Sequence, residues 1–327
     1  MIPNRLIPNA PLRAIVALLF LAVLAACGKS GPKTNADGTK SVKLALNWVP
    51  EPEFGGFYSA RETGAYRNEK LTVEIQGGGA GVPVLQMVAS GKADFGIVGG
   101  DEVITARDKG VDIVVLFATY QTSPQGIMVH EERGAATLKD VLASGQIGME
   151  PGLPYAQFLK KKYGEFGAKV VPYDGGVAHF VADKEYAQQC YITSEPLAAR
   201  KQGAKPKVFL VADEGYNPYV GVVITSKSFA KDNPEIVKGF VRATRVGWRD
   251  YLADPSAANA AMAAINTSMD IATFKAASEA QKILVTGGDD KNLGVMTKDR
   301  WETLATQLHD IGVVSKKVDI DFLYEVD

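Results

Sequence analysis

The stretch VKLALNWVPEPEFGGFYSAR, residues 42–61, decides the fold class of this chain. Its first five residues, 42–46, form a short apolar run that is typical of a buried strand. A loop with two prolines follows, and residues 56–61 then show the spacing of a helix. A strand and a helix joined by a short loop form the repeating unit of α/β proteins.

The same alternation continues along the chain. Further strands are predicted at 71–75, 93–98 and 112–118, with helices at 82–90 and 101–109. Three glycines follow predicted helices at the position of a left-handed C-cap, namely Gly64, Gly91 and Gly110. The pattern therefore predicts a parallel-type sheet covered by helices.

A second α/β set begins near Thr122. Its strands are predicted at 126–130, 146–149, 169–172, 188–192 and 207–211, and its helices at 137–143, 154–163 and 196–202. After a strand at 220–225 the chain becomes helical, at 234–253, 256–265, 271–284 and 298–311. This tail has too few strands for a third sheet, so we expect it to pack on the first lobe. The chain would then cross between lobes twice, near 119–126 and 217–222, and these crossings would form a hinge.

The first thirty residues carry an export signal. Arg5 and Arg13 precede an apolar run of thirteen residues, 14–26, which is shorter than the roughly twenty residues of a membrane-spanning helix. Small residues then precede Cys27, as in the lipobox of bacterial lipoproteins, where the thiol is acylated. The alternative is an ordinary signal peptide followed by an accidental cysteine. We expect cleavage after residue 26 and an envelope protein lipid-anchored to a membrane that faces the periplasm or the exterior.

The remaining composition fits a two-domain body. Without residues 1–26 the chain has 34 basic and 37 acidic residues, a formal net charge of −3, which does not favour nucleic acid as a partner. Cys190 is then the one cysteine besides Cys27, so no disulfide is expected within the body. We expect a polar tether at 27–41, a discontinuous lobe 1 at 42–121 plus 222–327, and lobe 2 at 122–221.

Several segments together carry a family resemblance. Residues 46–60, 64–66, 84–96, 191–196 and 233–243 resemble, in this order, ABC-transporter substrate-binding proteins of the sulfonate/nitrate/thiamine-pyrimidine type. The resemblance implies a type II periplasmic-binding-protein fold, with two hinged lobes and the ligand in the cleft between them. It also implies a monomer that delivers a small-molecule solute to an ABC permease with its ATPase.

Candidate ligand residues lie in loops after predicted strands, because ligands of open α/β sheets bind there. Trp48 lies between the first strand and two prolines, and its ring either stacks on a flat ligand or packs under its own loop. Glu51 and Glu53 are expected to be exposed and outside the site. Gly99 and Asp101 follow the third strand, where Asp101 either caps the helix or faces the cleft. The glycine run at 77–81 is either a flexible turn or an anion cradle.

The second lobe contributes further candidates. Gly152 lies in the loop that opens a helix, and Tyr191 and Glu195 bracket a strand end. Glu195 has a sufficient structural role at a helix start, while the resemblance implies pairing with ring nitrogens and amines. Aromatic candidates are Tyr219, Tyr120 and Phe54, and their number favours a flat heteroaromatic solute over an alkanesulfonate, taurine or nitrate. The predicted ligand-binding residues are Trp48, Phe54, Gly99, Asp101, Gly152, Tyr191, Glu195 and Tyr219.

Catalysis is not expected. His130, His179 and His309 have no metal-ligand spacing with Cys190, and no nucleophile motif is present. Cys190 lies in an apolar strand, which favours a buried residue over a reactive thiol. The alternative is an enzyme, because the family that this chain resembles includes a pyrimidine-precursor synthase that consumes its own histidine. Phe54 occupies the comparable position in this chain, which argues against that activity. We therefore expect neither enzyme activity nor a cofactor nor a bound metal.

Overall fold

The computed structural model describes residues 31–325. The predicted signal peptide and the predicted lipidation site at Cys27 lie outside this range. No helix within residues 31–325 is long and apolar enough to cross a membrane.

Within residues 31–325, ten strands form two separate five-stranded sheets. They are β1 (Lys40–Ala45), β2 (Leu71–Gln76), β3 (Phe95–Val98), β4 (Ile113–Tyr120), β5 (Gln125–His130), β6 (Gln146–Met149), β7 (Lys169–Pro172), β8 (Tyr186–Tyr191), β9 (Pro206–Leu210) and β10 (Val220–Ser226). The first sheet has the order β2-β1-β3-β10-β4, and the second has the order β7-β6-β8-β5-β9. All ten predicted strands are present, with ends that differ from the prediction by two residues or fewer.

Both sheets are mixed, which corrects the prediction of a parallel-type sheet. β10 runs antiparallel to β3 and β4, and β5 runs antiparallel to β8 and β9. The cause is the double crossing of the chain. β5 and β10 are the strands that follow each crossing, so they start at the edge of the sheet where the other strands end.

Fourteen α-helices in the described residues surround these sheets. They are α1 (Gly55–Glu62), α2 (Ala65–Asn68), α3 (Val84–Ala89), α4 (Gly100–Asp108), α5 (Leu138–Ala143), α6 (Pro154–Tyr163), α7 (Ala178–Ala182), α8 (Glu195–Lys201), α9 (Lys227–Asp232), α10 (Pro234–Ala253), α11 (Ser256–Ala263), α12 (Ile271–Ala280), α13 (Lys282–Thr286) and α14 (Lys298–Asp310). The short helices α2, α7 and α9 were not predicted, and the predicted helix at 271–284 is divided into α12 and α13. Gly64, Gly91 and Gly110 have φ angles of 81°, 74° and 77°, which confirms their left-handed conformation.

A pair of glycines allows α1 to pack closely against α10 in the first lobe. A Cβ atom on Gly55 would lie 2.0 Å from the ring of Tyr251, and one on Gly56 would lie 2.2 Å from the ring of Trp248. On the opposing helix, a Cβ on Gly247 would lie 2.3 Å from the carbonyl oxygen of Gly56. Side chains at these positions would separate the helices, so the glycines in the quoted stretch serve packing.

Arg300, on α14, holds the two crossing segments together. Its guanidinium donates to the carbonyl oxygens of Gln121 (2.7 Å) and Asn217 (3.0 Å), which belong to different crossings. The side-chain oxygen of Asn217 also accepts from the backbone N–H of Ser123 at 2.8 Å. The guanidinium lies over the ring of Tyr219, 3.8 Å from its centroid. The hinge is therefore a hydrogen-bonded pair of segments anchored on lobe 1.

Candidate functional site

A cavity of about 210 Å³ lies between the two sheets at the crossing edge. The first lobe contributes Asn47, Val98, Gly99, Asp101 and Glu102, and the second lobe contributes Leu153, Pro154, Tyr155, Tyr191, Val211 and Tyr216. Residues of both crossings complete the wall, namely Ser123, Gln125, Pro218, Val220 and Gly221. A solute in this cavity would contact both lobes and the hinge.

The loop after β1 is held firmly against the helices of lobe 1. The side chain of Gln281 donates to the carbonyl oxygen of Pro52 at 2.8 Å, and that of Asn266 donates to Pro50 at 3.1 Å. Pro52 is buried, and the two glutamates beside it, Glu51 and Glu53, are partly buried. The anchored loop thus fixes two carboxyl groups near the cleft.

Glu51 and Glu53 lie in a strongly acidic environment. Burial raises the pKa of Glu51 to about 7, and the charge of Glu195 on the other lobe adds to the rise. Burial likewise raises the pKa of Glu53 to about 8, with further contributions from Glu51 and Glu195. The three carboxyl groups come from both lobes and repel one another when ionised, so the cleft favours keeping protons on some of them at neutral pH.

Glu195 begins α8 and is held in place within lobe 2. One carboxylate oxygen accepts from the Tyr173 hydroxyl at 2.8 Å, and the other accepts from the backbone N–H of Tyr191 at 2.7 Å. Burial raises the pKa of Glu195, and these hydrogen bonds oppose the rise. The carboxyl group retains acceptor capacity for a ligand, because each oxygen has two lone pairs and uses one.

Two further carboxyl groups lie at the start of α4. Asp101 is not the N-cap that the sequence predicted, because α4 begins at Gly100 and Gly99 occupies the N-cap position. The Glu102 carboxylate accepts from the backbone N–H of Gly99 at 2.7 Å. Asp101 accepts instead from the N–H of Glu102 at 3.0 Å. Burial raises the pKa of both side chains. Asp101 lies in the cavity wall, which agrees with the other role predicted for it, that of a side chain facing the cleft.

No positive charge balances this cluster. Across residues 31–325, no Lys, Arg or His side chain forms an ion pair with Glu51, Glu53, Asp101, Glu102 or Glu195. Four of these carboxyl groups act on Tyr191, whose pKa is raised by burial and by the charges of Glu53, Asp101, Glu195 and Glu102. A cleft of this charge suits a ligand that donates hydrogen bonds or carries positive charge.

Two uncharged polar atoms in the cavity wall lack partners. The hydroxyl of Tyr216 and the side-chain oxygen of Asn47 are buried and form no hydrogen bond in the described structure. Tyr216 is only 3% exposed. Buried polar atoms of native proteins normally have partners, so a ligand that supplies them would remove an unfavourable desolvation cost of about 1–3 kcal/mol per group.

Several predicted site residues meet at the cavity. Gly99, Asp101 and Tyr191 line it, and Glu195 lies beside it through its bond to Tyr191. Gly152 has a φ of 83° and forms the turn that presents Leu153 and Pro154 to the cavity. Trp48 is 41% exposed and is not among the residues that line the cavity, so its stacking on a ligand stays a prediction.

Three aromatic candidates have structural roles instead. Phe54 is 2% exposed and belongs to the core of lobe 1, which corrects its assignment to the ligand site. Tyr219 is also corrected, because its ring packs between Arg300 and Trp301 and its hydroxyl accepts from the backbone N–H of Thr297 at 3.0 Å. Tyr120 is buried and donates to the side chain of Gln281 at 2.6 Å. Each ring is used within lobe 1 or its hinge.

The glycine run at 77–81 does not form a helix start. The helix that follows, α3, begins only at Val84. The N–H of Gly78 donates to the carbonyl oxygen of Trp48 at 2.9 Å, and a Cβ atom on Gly78 would lie 2.1 Å from the carbonyl oxygen of Leu46. The run therefore allows two loops to approach closely, and its anion-cradle alternative has no helix terminus to support it.

Sequence reasoning missed Glu51, Glu53, Asn47 and Tyr216. The first two were expected to be exposed, since charged residues beside prolines in a loop usually are. Their position in the sequence could have indicated them, because Glu51, Glu53 and Asn47 all follow the same strand end as Trp48. Nothing in the sequence indicated Tyr216, because its place in the cavity depends on the return crossing.

Residues 51–258 match the family described as NMT1/THI5 like. The chain belongs to the NMT1/THI5-like family. It is 30% identical over 246 residues to the riboflavin-binding protein RibY of Chloroflexus aurantiacus, covering 72% of this chain and 69% of the relative. It is 22% identical over 315 residues to the formylaminopyrimidine-binding protein of Halalkalibacterium halodurans, covering 91% and 94%.

This NMT1/THI5-like chain also resembles one relative named as an enzyme. A 4-amino-5-hydroxymethyl-2-methylpyrimidine phosphate synthase of Legionella pneumophila is 22% identical over 228 residues, covering 63% of this chain and 67% of the relative. Among solved structures, the periplasmic aliphatic sulphonate binding protein SsuA of Escherichia coli superposes with a TM-score of 0.66 at 14% identity, covering 88% and 92%. The latter likeness confirms the two-lobed periplasmic-binding-protein fold.

Metal and thiol chemistry have little support in the described part of this NMT1/THI5-like chain. Residues 31–325 contain no group of three or more His, Cys, Asp or Glu side chains placed to hold a metal ion. Cys190 is 1% exposed inside β8, and burial raises the pKa of its thiol well above the usual value. Its thiol is thus a buried, unreactive group, as the sequence predicted.

Proposed function

We propose that this protein is the extracytoplasmic solute-binding component of an ABC importer and that it captures a small heteroaromatic solute rich in hydrogen-bond donors. The observation that carries the proposal is the set of carboxyl groups from both lobes without a basic partner. The names of two relatives, which bind riboflavin and a formylaminopyrimidine, support the same ligand class. A role in binding without turnover is part of the proposal.

The chemistry of the cleft matches such a solute. Ring N–H and exocyclic amine groups donate hydrogen bonds, and carboxyl groups accept them. Tyr191 lies in the wall, and Trp48 extends from the loop that carries Glu51, so aromatic faces are available for stacking. A solute held by both lobes binds the closed state more tightly than the open state and shifts the population toward closure.

An alkanesulfonate, taurine or nitrate is the alternative solute. The cleft carboxyl groups would repel such an anion. The backbone N–H of Gly99, at the start of α4, is already bonded to Glu102. These two features favour the heteroaromatic class.

The remaining parts of the proposal concern location and partners. We place lobe 1 at 42–121 plus 222–327 and lobe 2 at 122–221, because the strands of the second sheet lie between Gln125 and Leu210. Acylation of Cys27 would anchor a monomer to the membrane, and the closed form would be recognised by a permease with its ATPase.

A thermal-shift panel on the purified protein tests the ligand class. Aminopyrimidines, flavins and purines are compared with alkanesulfonates, taurine and nitrate. A ligand at a hundred times its Kd stabilises the native state by about 2.7 kcal/mol, which raises Tm by several degrees. We expect stabilisation by heteroaromatic compounds, without their chemical conversion on prolonged incubation. Stabilisation by the anions alone would refute the proposed solute class, and conversion of a bound compound would refute the binding-only role.

The variant Glu195→Gln sharpens this test. This substitution preserves the shape of the side chain and removes its charge, so it should lower the affinity for an amine-bearing heterocycle at least tenfold. Glu185→Gln is the matched control, because Glu185 is an exposed glutamate of the same lobe. Equal affinity of the wild type and Glu195→Gln for every heterocycle would contradict the role of Glu195.

A further inference from the structure

A second cavity, of about 440 Å³, adjoins the cleft. Asp101, Glu102, Leu153 and Pro154 line both cavities, so the two spaces are adjacent and share part of their wall. The remaining wall of the second cavity belongs to the helix side of lobe 1 and consists of Leu85, Gln86, Ala89, Thr105, Ala106, Lys109 and Val111. We refer to this space as the outer groove and to the 210 Å³ space as the inner cavity.

The outer groove has a direction and a length. Asp101, Thr105 and Lys109 are spaced by four residues, so they lie along one face of α4 and its C-terminal extension. Eight residues at a helical rise of 1.5 Å correspond to about 12 Å from the cleft to Lys109. Between these ends the wall is mainly apolar, with Leu85, Ala89 and Val111 among its members.

The chemistry changes along the groove. Its inner end has the carboxyl groups of Asp101 and Glu102, whereas the outer end has the ammonium group of Lys109. The hydroxyl of Thr105 donates to the backbone carbonyl of Asp101 at 2.8 Å, so it is available as an acceptor. A ligand would therefore place hydrogen-bond donors near the cleft and hydrogen-bond acceptors at the far end of the groove.

Lobe 2 contributes to the groove as well. Leu153 and Pro154 follow the left-handed turn at Gly152 and come from the second lobe, while all other residues of the outer groove belong to the first. The groove is therefore assembled by the approach of the lobes, as is the inner cavity.

The inner cavity is small for a drug-sized molecule. Pockets for such ligands have volumes of roughly 300–1,000 Å³. The inner cavity, at about 210 Å³, lies below this range, and the adjoining outer groove brings the space within it. A single flat ring with short substituents would leave the outer groove filled only with water.

We propose that the inner cavity and the outer groove form one bipartite site for an elongated solute. A flat heteroaromatic ring with at least one N–H donor occupies the inner cavity, and a flexible chain extends along α4 and ends in oxygen acceptors near Lys109. The inference rests on the proposed function and narrows its solute class from heteroaromatic rings in general to rings that carry a chain.

The test compares two flavins that share a ring system and differ in the chain. Riboflavin carries a hydroxylated chain, and lumiflavin carries a methyl group in its place. Their binding to the full protein is measured by flavin fluorescence quenching. We expect riboflavin to bind at least tenfold more tightly than lumiflavin, because only its chain reaches the outer groove.

Two variants locate the chain. Ala89→Trp narrows the groove from an exposed position at the end of α3. It should lower the affinity for riboflavin at least tenfold and leave the affinity for lumiflavin unchanged. Lys109→Gln should lower the affinity for riboflavin severalfold and also leave the affinity for lumiflavin unchanged. Ala276→Trp, at an exposed alanine of α12 outside both cavities, is the control for the added ring.

The outcomes separate this inference from the proposed function. Equal affinity for both flavins, or an equal loss for both in Ala89→Trp, would overturn the bipartite site. Binding of single-ring aminopyrimidines without binding of either flavin would overturn it too and would leave the proposed function intact. Failure of every heteroaromatic compound to bind the wild type would overturn the proposed function itself.

Discussion

The acidic cleft makes the stability of the ligand-free protein depend on pH, and Glu53→Gln should remove part of this dependence. The pKa of Glu53 is raised from 4.5 to about 8 in the folded state, first by burial and then by the charges of Glu51 and Glu195. Between these pH values the folded protein retains a proton that the unfolded chain has released. Stability therefore falls as the pH rises from about 4.5 to about 8.

The size of the effect follows from the shift. Each pKa unit corresponds to about 1.4 kcal/mol, so the whole shift of Glu53 sets an upper limit of about 5 kcal/mol. Glu53 is only partly buried, and Glu51 shares the same electrostatic environment, so solvent screening and coupling reduce this limit. We expect Glu53→Gln to stabilise the ligand-free protein by about 2 kcal/mol at pH 8, which corresponds to a Tm increase of roughly 3 °C for a chain of this length.

The assay is thermal or urea unfolding of the wild type and Glu53→Gln from pH 4.5 to pH 8.5. At pH 4.5 both side chains are uncharged and the two proteins should have similar stability, so the difference should grow as the pH rises. Glu185→Gln, which removes an exposed carboxylate, controls for the change in net charge. A stability difference that is constant with pH, or a Glu53→Gln variant less stable than the wild type at pH 8, would contradict a raised pKa of Glu53 in the folded protein.

Three further predictions concern packing, the hinge and the cleft. Gly56→Ala should lower the free energy of unfolding by about 2 kcal/mol, because its Cβ would lie 2.2 Å from the Trp248 ring, and urea unfolding checks this. Arg300→Lys should lower the free energy of unfolding by at least about 1.5 kcal/mol, because a lysine cannot reproduce the guanidinium hydrogen bonds to Gln121 and Asn217. Small-angle scattering of this variant should also show a broader range of lobe separations. A scattering profile equal to that of the wild type would count against the hinge role. Trp48→Ala should weaken the true ligand by at least about 1 kcal/mol if the ring stacks, and an unchanged Kd in titration calorimetry would remove Trp48 from the site.

The course of the backbone was predictable because local patterns agree with the final fold. Each strand is a short apolar run, and each of the glycines at 64, 91 and 110 adopts the left-handed conformation expected at a helix end. These signals depend on residues close in sequence, so tertiary contacts do not override them. The short helices α2, α7 and α9 escaped prediction because four to six residues carry too little periodicity.

The site was less predictable because its residues meet only after the lobes have formed. Strand ends indicated the correct edge of each sheet, so three of the predicted residues, Gly99, Asp101 and Tyr191, line the inner cavity. A side chain at that edge can face either the core or the cleft, and the local sequence does not distinguish the two outcomes for an aromatic residue. Phe54 consequently belongs to the core, although it lies next to Glu53.

The alternation of strands and helices, the two crossings and the family could all be inferred from the amino-acid sequence. Which groups share the cleft, and what charge they carry together, became apparent only from the folded arrangement of the two lobes. Glu51 and Glu195 are separated by more than a hundred residues, and their mutual effect on pKa arises because the fold brings two lobes together around a poorly solvated space. Electrostatic interaction depends on distance and burial in space, and neither quantity is encoded in local sequence patterns.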